Sequence, residues 1–175
     1  QQRGLDMASA IFPGSFNPIQ PGHLDIIKKS ARIFDSVVVL LAKNPAKKYD
    51  ISSEKRIDWI KRTLNHNGIT NVMVYENPYD TLAEFTLNTK KNNIVRGIKG
   101  QVSIEYEESQ IPFNKVLNPD MEYVYLTSDR SLDHFSSTSV KQFIKLTTLE
   151  NFIKLYGPTF PEDVVTEIYR AYWML

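Results

Sequence analysis

Four residues near the start of the chain combine types and spacing that suit phosphate binding: Gly14, Ser15, Gly22 and His23. An apolar run that predicts a buried strand precedes Gly14, and a helical pattern begins at His23. A strand, a tight loop and a helix start present backbone N–H groups and the positive end of a helix dipole to a ligand. Gly22 would let a ligand oxygen approach the main chain closely, and His23 adds a side-chain donor. This stretch therefore predicts an anion site, with phosphate as its ligand.

Three further groups of polar residues follow along the chain. Arg96 ends a predicted strand at 93–97, where its guanidinium needs a counter-charge and has the planar geometry that phosphate favours. The hydroxyl-rich run 136–139 opens a helix, and on its own it is typical of a helix cap. Lys47 and Lys48 lie in a loop after the second strand. Paired lysines in a loop are usually solvated, so the pattern alone favours no ligand contact for either.

The elements that position these residues alternate between strand and helix, which indicates a parallel sheet with right-handed crossovers. The first strand is expected to stop at the turn-forming pair Pro13-Gly14. The predicted strands are Ala8–Phe12, Ser36–Ala42, Asn71–Tyr75, Asn93–Gly97 and Met121–Leu126. The predicted helices start near His23 and after Ser52, then run over Leu82–Lys90, about Ser103–Leu117, from Ser136, and in two pieces over Glu150–Leu175.

This pattern predicts an α/β fold: a doubly wound, Rossmann-like, five-stranded parallel sheet with helices on both faces. We expect residues 7–175 to form one domain, because no linker or repeat interrupts them. The polar, patternless residues 1–6 are interpreted as a remnant of an expression vector.

Composition narrows the classes of function. The chain has 175 residues, a formal net charge of +1 and no cysteine. The absence of cysteine excludes disulfides and thiolate metal sites and fits a cytoplasmic protein. A net charge near zero gives no bulk attraction to nucleic acid, and no apolar run approaches the length of a membrane span. We therefore expect neither a nucleic-acid nor a membrane partner, and no dedicated metal site.

The loop Gly14-Ser15-Phe16-Asn17-Pro18, followed by Gly22-His23, resembles the nucleotide-binding loop of the nucleotidylyltransferase superfamily. Within it, the chain is most similar to the phosphopantetheine adenylyltransferases of the bacterial coenzyme A pathway. Three later segments carry this closer resemblance: Val95-Arg96-Gly97-Ile98-Lys99, Ile104-Glu105-Tyr106-Glu107 with Asn114-Lys115, and Ser136-Ser137-Thr138-Ser139-Val140-Lys141. Together the similar segments span roughly Ala8 to Lys141.

The resemblance implies a reaction, a cofactor and an assembly. The adenylyl group of ATP would pass to 4'-phosphopantetheine, giving dephospho-coenzyme A and pyrophosphate. The acceptor phosphate would attack the α-phosphorus in line, so no side-chain nucleophile is required. Mg²⁺ would accompany the triphosphate, and the protein would be a homo-oligomer, a hexamer by family resemblance.

The resemblance also implies residue roles. The catalytic residues would be Ser15, His23, Lys47 and Arg96. The ATP-binding residues would be Gly14, Ser15, Phe16, Gly22, His23, Gly97, Lys99, Glu107, Ser136, Ser137 and Thr138. The acceptor-binding residues would be Ser15, Lys47, Leu82, Arg96 and Asn114.

Two other functions stay open at this point, as does the choice between Lys47 and Lys48. A sister enzyme, such as a cytidylyltransferase or one that adenylylates nicotinate mononucleotide, would share the Gly22-His23 loop and the serine turn. A catalytically weak nucleotide-binding regulator would explain two departures from the family pattern. These are Gln20-Pro21, and Lys99 where the family has a second arginine.

Overall fold

Five parallel strands joined by helices form the computed structural model, which describes residues 7–42, 49, 51–99 and 111–175. The strands are β1 (Ser9–Gly14), β2 (Ser36–Leu41), β3 (Val72–Glu76), β4 (Asn93–Ile98) and β5 (Glu122–Thr127). The helices are α1 (Pro21–Ile33), α2 (Ser53–His66), α3 (Leu82–Thr89), α4 (residues 111–117), α5 (Ser137–Ile144), α6 (Leu149–Tyr156) and α7 (Glu162–Trp173), with a short 3₁₀ turn at Arg130–Leu132.

The sheet order is β3-β2-β1-β4-β5, and every neighbouring pair is parallel. The chain builds outward from β1 to β3 on one side and then continues on the other side with β4 and β5. The direction of building therefore reverses between β1 and β4. Ligands of open α/β sheets bind beyond the carboxyl ends of the strands at such a point. The predicted doubly wound, five-stranded α/β fold is confirmed.

The prediction that β1 stops at Phe12 was wrong, because the strand continues through Pro13 and Gly14. Gly14 still pairs with β2, where its carbonyl accepts a hydrogen bond from the Ala42 N–H at 2.9 Å. In a parallel strand successive residues bond to opposite neighbours, so the nitrogen of Pro13 faces β4. On that side the pairing covers only Ala10 and Ile11. The missing proline N–H therefore removes no ladder bond.

Side chains from the two faces of the sheet form two apolar clusters. The first contains Phe12, Ile26 and Trp59 together with side chains of α5, α6 and α7. The second contains Ile11 and Ile94 with α3 side chains, and it is smaller. Side chains alternate between the two faces along β1 and β4, so neighbouring residues belong to different clusters. Helices pack on both faces of the sheet, as predicted.

Most helix boundaries agree with the sequence prediction. The Ser52 hydroxyl caps α2 by accepting from the Lys55 N–H at 3.2 Å, and the chain leaves the helix through Gly68 at a φ of 65°. Of the helix predicted from about Ser103 to Leu117, only residues 111–117 belong to the described part, and they are helical.

Candidate active site

A cleft of about 260 Å³ lies at the carboxyl edge of the sheet, where the strand order reverses. It brings together seven of the residues predicted to bind substrates, contributed by α1, the end of β4 and the start of α5. These seven are Gly22, His23, Arg96, Gly97, Lys99, Ser136 and Ser137. Four other described residues also line the cleft: Phe12, Gln20, Ile26 and Ser128.

The N-terminus of α1 is closed by its own cap rather than left open for a ligand. Gln20 is 2% exposed, and its Oε1 accepts hydrogen bonds from the backbone N–H groups of Gly22 and His23. Gly22 lies inside the first turn, where a Cβ would stand 2.8 Å from the Gln20 Oε1. The expectation that Gly22 admits a ligand oxygen to these amides is therefore corrected, because the oxygen that approaches belongs to Gln20.

Pro21 fits this cap without cost. It is the first residue of α1, where a backbone N–H has no partner within the helix. Gln20-Pro21 departs from the family pattern, but it forms a regular helix start in which the glutamine side chain caps α1.

His23 presents a neutral hydrogen-bond donor to the cleft. Its Nδ1 accepts from the Gln20 N–H at 3.2 Å, so the ring proton resides on Nε2. Burial, with the nearby positive charge of Lys99 as a second cause, lowers the pKa of His23 from 6.5 to about 3. The imidazole is therefore uncharged at neutral pH, and Nε2–H is its remaining donor.

Lys99 and Arg96 supply positive charge along the cleft, and no carboxylate belongs to the described residues that line it. Burial lowers the pKa of Lys99, and the carboxylate of Asp133 acts in the opposite direction. Two cations, a neutral imidazole donor and several hydroxyls form a lining that suits a polyanion.

The start of α5 forms another part of the cleft wall. Ser136 and Ser139 cap the helix reciprocally, because each hydroxyl accepts from the other's backbone N–H, at 3.0 and 2.9 Å. Among the described residues, none accepts from the backbone N–H groups of Ser137 and Thr138, which remain for a ligand or water. The Ser137 hydroxyl donates to the Pro18 carbonyl at 3.1 Å and so joins this wall to the loop before α1.

The predicted acceptor-binding residues Leu82 and Asn114 lie away from this cleft, toward the second apolar cluster. Leu82 packs against that cluster, and the Asn114 amide donates to the hydroxyl of Tyr123, which packs there too. Arg96 follows Ile94 by two positions in β4, so its side chain leaves the sheet on the same face. Arg96 also lines the cleft, so it connects the cleft residues with the region of Leu82 and Asn114.

Gly14, Ser15 and Phe16 lie beneath the cleft and not in its lining. Phe16 is 1% exposed, and its ring packs edge-on against those of Phe12 and His23, at centroid distances of 5.4 and 4.8 Å. A Cβ on Gly14 would come within 3.0 Å of the Phe16 ring. The Ser15 carbonyl accepts from the guanidinium of Arg56, which is 4% exposed.

Other site predictions fall outside the part of the chain that the structure describes. They concern Lys47 with its alternative Lys48, and Glu107. Sequence reasoning missed Phe12, Ile26 and Ser128 as lining residues. No signal marked Phe12 and Ile26, since apolar strand and helix residues are usually core. Ser128 directly follows β5, and its place at the carboxyl end of a strand was a signal that could have found it. Gln20 was noticed only as a departure, although a polar residue directly before a proline at a helix start is a capping signal.

The described residues contain neither a candidate membrane span nor a candidate metal cluster. None of the described helices combines the length and apolar character needed to span a bilayer. Nor does the described part of the chain group three or more His, Cys, Asp or Glu side chains as metal ligands.

Comparison with known proteins connects this geometry to a family. The sequence profile of the cytidylyltransferase-like family matches residues 11–143. The phosphopantetheine adenylyltransferase of Dictyoglomus thermophilum is 38% identical over 136 residues, which cover 78% of this chain and 81% of that protein. Its counterpart in Clostridium beijerinckii is 40% identical over 137 residues, with 78% and 84% covered.

Solved structures agree on the fold. The bifunctional NMN adenylyltransferase/ADP ribose pyrophosphatase of Francisella tularensis, complexed with AMP and a manganese ion, superposes with a TM-score of 0.64 at 18% identity, covering 96% of this chain and 52% of that one. The nicotinic acid mononucleotide adenylyltransferase of Plasmodium falciparum, complexed with NaAD, gives 0.64 at 14% identity, with 93% and 97% covered. At such identities the likeness concerns the fold alone. The profile match and the relatives together show that this chain belongs to the cytidylyltransferase-like nucleotidyltransferases, in the phosphopantetheine adenylyltransferase family.

Proposed function

We propose that this protein transfers the adenylyl group of ATP to 4'-phosphopantetheine, forming dephospho-coenzyme A and pyrophosphate in coenzyme A biosynthesis. An oxygen of the acceptor phosphate forms a bond to the α-phosphorus, and the bond from that phosphorus to the β-phosphate bridging oxygen breaks. The observation that carries the proposal is the cleft itself. In a chain of this family, it gathers His23, Lys99 and the start of α5 around a space lined by no described carboxylate.

The ATP side of the mechanism uses donors that are already oriented. The Nε2–H of His23 donates to the α-phosphoryl group as negative charge develops on its oxygens. Lys99 and the backbone N–H groups of Ser137 and Thr138 hold the β- and γ-phosphates. Such fixed donors accelerate a reaction because they need little reorganisation when charge moves. The proposed ATP-binding set is completed by Gly14, Ser15, Phe16, Gly22, Gly97, Glu107 and Ser136. Of these, Gly22, Gly97 and Ser136 line the cleft, and the first three would contact ATP from the loop beneath it.

The proposed binding site for the acceptor begins at Arg96, on the side of the cleft away from the ATP site. The guanidinium of Arg96 binds the phosphate of 4'-phosphopantetheine together with Lys47 and the hydroxyl of Ser15, while Leu82 and Asn114 contact the pantetheine arm. This assignment is supported by the position of Arg96, which lines the cleft and leaves the sheet on the face of the second apolar cluster. The two substrates then approach from the two sides of one arginine, and that arrangement suits in-line attack.

Magnesium enters this scheme as part of the substrate, Mg·ATP. The described lining offers cations and hydrogen-bond donors and contains no carboxylate, so it suits phosphate oxygens and not a metal ion. The triphosphate itself would therefore supply the oxygen ligands of the ion. We further propose that the enzyme acts in the cytoplasm as a homo-oligomer, a hexamer by resemblance to its family, and that residues 7–175 form one domain.

The experiment is an acceptor panel. Pyrophosphate release from Mg·ATP would be measured with 4'-phosphopantetheine, nicotinate mononucleotide and glycerol 3-phosphate in parallel. We expect turnover with 4'-phosphopantetheine alone. Turnover with nicotinate mononucleotide instead would assign the chain to the sister activity. ATP binding without turnover on any acceptor would favour a regulatory protein.

A further inference from the structure

The loop that joins β1 to α1, residues 15–20, contains a backbone conformation that needs support. Phe16 has a φ of 44°, in the left-handed region that residues with a side chain adopt at a cost. Such conformations persist where the surrounding structure over-determines them. The described residues around the loop provide that support through side chains that come from distant parts of the sequence.

Among the described residues, four side chains donate hydrogen bonds to this loop, which we call the β1–α1 loop. Arg56 donates to the Ser15 carbonyl, and Ser137 donates to the Pro18 carbonyl. The two other donors are tyrosines of the C-terminal helices. The Tyr172 hydroxyl donates to the Asn17 side-chain oxygen, and the Tyr156 hydroxyl donates to the Ile19 carbonyl at 2.8 Å.

The Tyr156 contact leads directly to His23 through a single peptide group. The carbonyl of Ile19 and the N–H of Gln20 belong to the same peptide, and they point in opposite directions. Tyr156 binds the carbonyl at 2.8 Å, and the N–H donates to the Nδ1 of His23 at 3.2 Å. The hydroxyl, the peptide and the imidazole thus form one chain of hydrogen bonds, in which each bond polarises the next.

We propose that Tyr156 is a positioning residue for adenylyl transfer, acting on His23 through the Ile19–Gln20 peptide. It strengthens the bond from the Gln20 N–H to Nδ1, which keeps the ring aimed into the cleft. This role rests on the proposed function of His23. Tyr156 belongs to α6, which lies beyond the residues 11–143 that match the family profile. A helix outside the matched segment thus contributes a residue that supports the site within it.

The surroundings of Tyr156 allow its hydroxyl to be tested alone. The ring is 3% exposed and packs against Phe135, Phe152 and Phe160, which would hold a phenylalanine in the same place. Burial also raises the pKa of Tyr156, so the hydroxyl keeps its proton and remains a donor at working pH. Tyr169 of α7 offers a matched control, because its hydroxyl donates to the Thr147 carbonyl at 2.7 Å, away from the loop.

The test compares Tyr156→Phe with Tyr169→Phe in the full chain. We expect Tyr156→Phe to lower kcat for 4'-phosphopantetheine by about tenfold, with a KM for ATP within about twofold of the wild-type value, since a small misplacement of a catalytic group affects the chemical step first. Tyr169→Phe should leave both constants unchanged. A wild-type kcat in Tyr156→Phe, or an equal loss in both variants, would overturn the proposal.

A second readout needs no turnover and therefore separates this proposal from the proposed function. The ¹⁵N resonances of the His23 imidazole report which nitrogen carries the proton. In Tyr156→Phe the Gln20 N–H should donate more weakly, so we expect the Nδ1 resonance to shift away from the protonated value, toward that of a nitrogen with no hydrogen bond. Tyr169→Phe should match the wild type. An unchanged His23 spectrum in Tyr156→Phe would refute the positioning role even if the enzyme accepts another substrate.

Discussion

Replacement of His23 by glutamine or by alanine tests whether the cleft uses a neutral donor. His23 accepts from the Gln20 N–H through Nδ1 and has a pKa of about 3, so an uncharged Nε2–H faces the cleft. A glutamine at this third helical position can do both tasks. Its Oε1 accepts from the capping residue, and its amide donates without carrying charge. Alanine can do neither.

The expected magnitudes follow from these two contacts. Loss of one fixed donor at a developing oxyanion costs about 10²–10³ in kcat, roughly 2.7–4 kcal/mol. Loss of the hydrogen bond from the Gln20 N–H lowers the free energy of unfolding by about 1 kcal/mol. For a domain of this size, that corresponds to a melting temperature lower by about 2–4 °C. His23→Ala should show both losses, whereas His23→Gln should show little of either.

The assay is pyrophosphate release at saturating Mg·ATP and 4'-phosphopantetheine near neutral pH, well below both melting temperatures. We expect His23→Gln to retain activity within about tenfold of the wild type and His23→Ala to lose at least about a hundredfold. Equal inactivity of the two variants would refute the neutral-donor reasoning and point to a charged imidazole. Full activity in His23→Ala would remove His23 from the mechanism.

Three further predictions concern the same cleft. The pKa of His23 is about 3 in the folded protein and 6.5 in the unfolded chain, so the unfolded chain binds one more proton between pH 3 and pH 6.5. The neutral, buried imidazole therefore contributes to the free energy of unfolding. This contribution is complete above pH 6.5 and is lost as the pH falls toward 3, by up to about 1.4 kcal/mol per pH unit. Urea unfolding from about pH 6 to about pH 4 should therefore show a steeper loss in the wild type than in His23→Gln, and parallel curves would contradict it. Gly22→Ala would place a Cβ 2.8 Å from the Gln20 Oε1. It should lower the free energy of unfolding by about 1 kcal/mol through loss of the cap, and an unchanged thermal melt would count against that cap. Lys99→Arg should lower the KM for ATP by about three- to tenfold, because a guanidinium binds phosphate in a bidentate manner. An unchanged or raised KM in steady-state kinetics would place Lys99 away from the phosphates.

The parts of the fold that were predictable are those in which local chemistry decides the structure. The β-branched run at Ser36–Leu41 is buried on both faces and forms β2 as expected. Ser52 and Ser136 begin their helices because a short hydroxyl side chain can reach the N–H groups of the first turn. Sequence reasoning also placed Gly22, His23, Arg96, Gly97 and the serine run at one edge, since the ends of parallel strands meet there.

The parts that were missed depend on contacts between distant segments. Pro13 was taken as the end of a strand, because the sequence does not reveal that its nitrogen faces an unpaired stretch. Gln20 is an uncommon capping residue, so its bond to the amides of α1 was not anticipated. Tyr156 lies 137 residues from Ile19, and no local pattern could connect the two. The roles of all the candidate site residues stay predictions, and Lys47 and Glu107 also lie outside the described residues.

The fate of a label at the α-phosphorus of ATP tests the central claim most directly. With [α-³²P]ATP, Mg²⁺ and 4'-phosphopantetheine, adenylyl transfer predicts that the label appears in dephospho-coenzyme A, identified by its mass. The pyrophosphate formed in equal amount should carry none. Label that remains in ATP or appears in ADP, with no labelled dephospho-coenzyme A, would contradict adenylyl transfer by this protein.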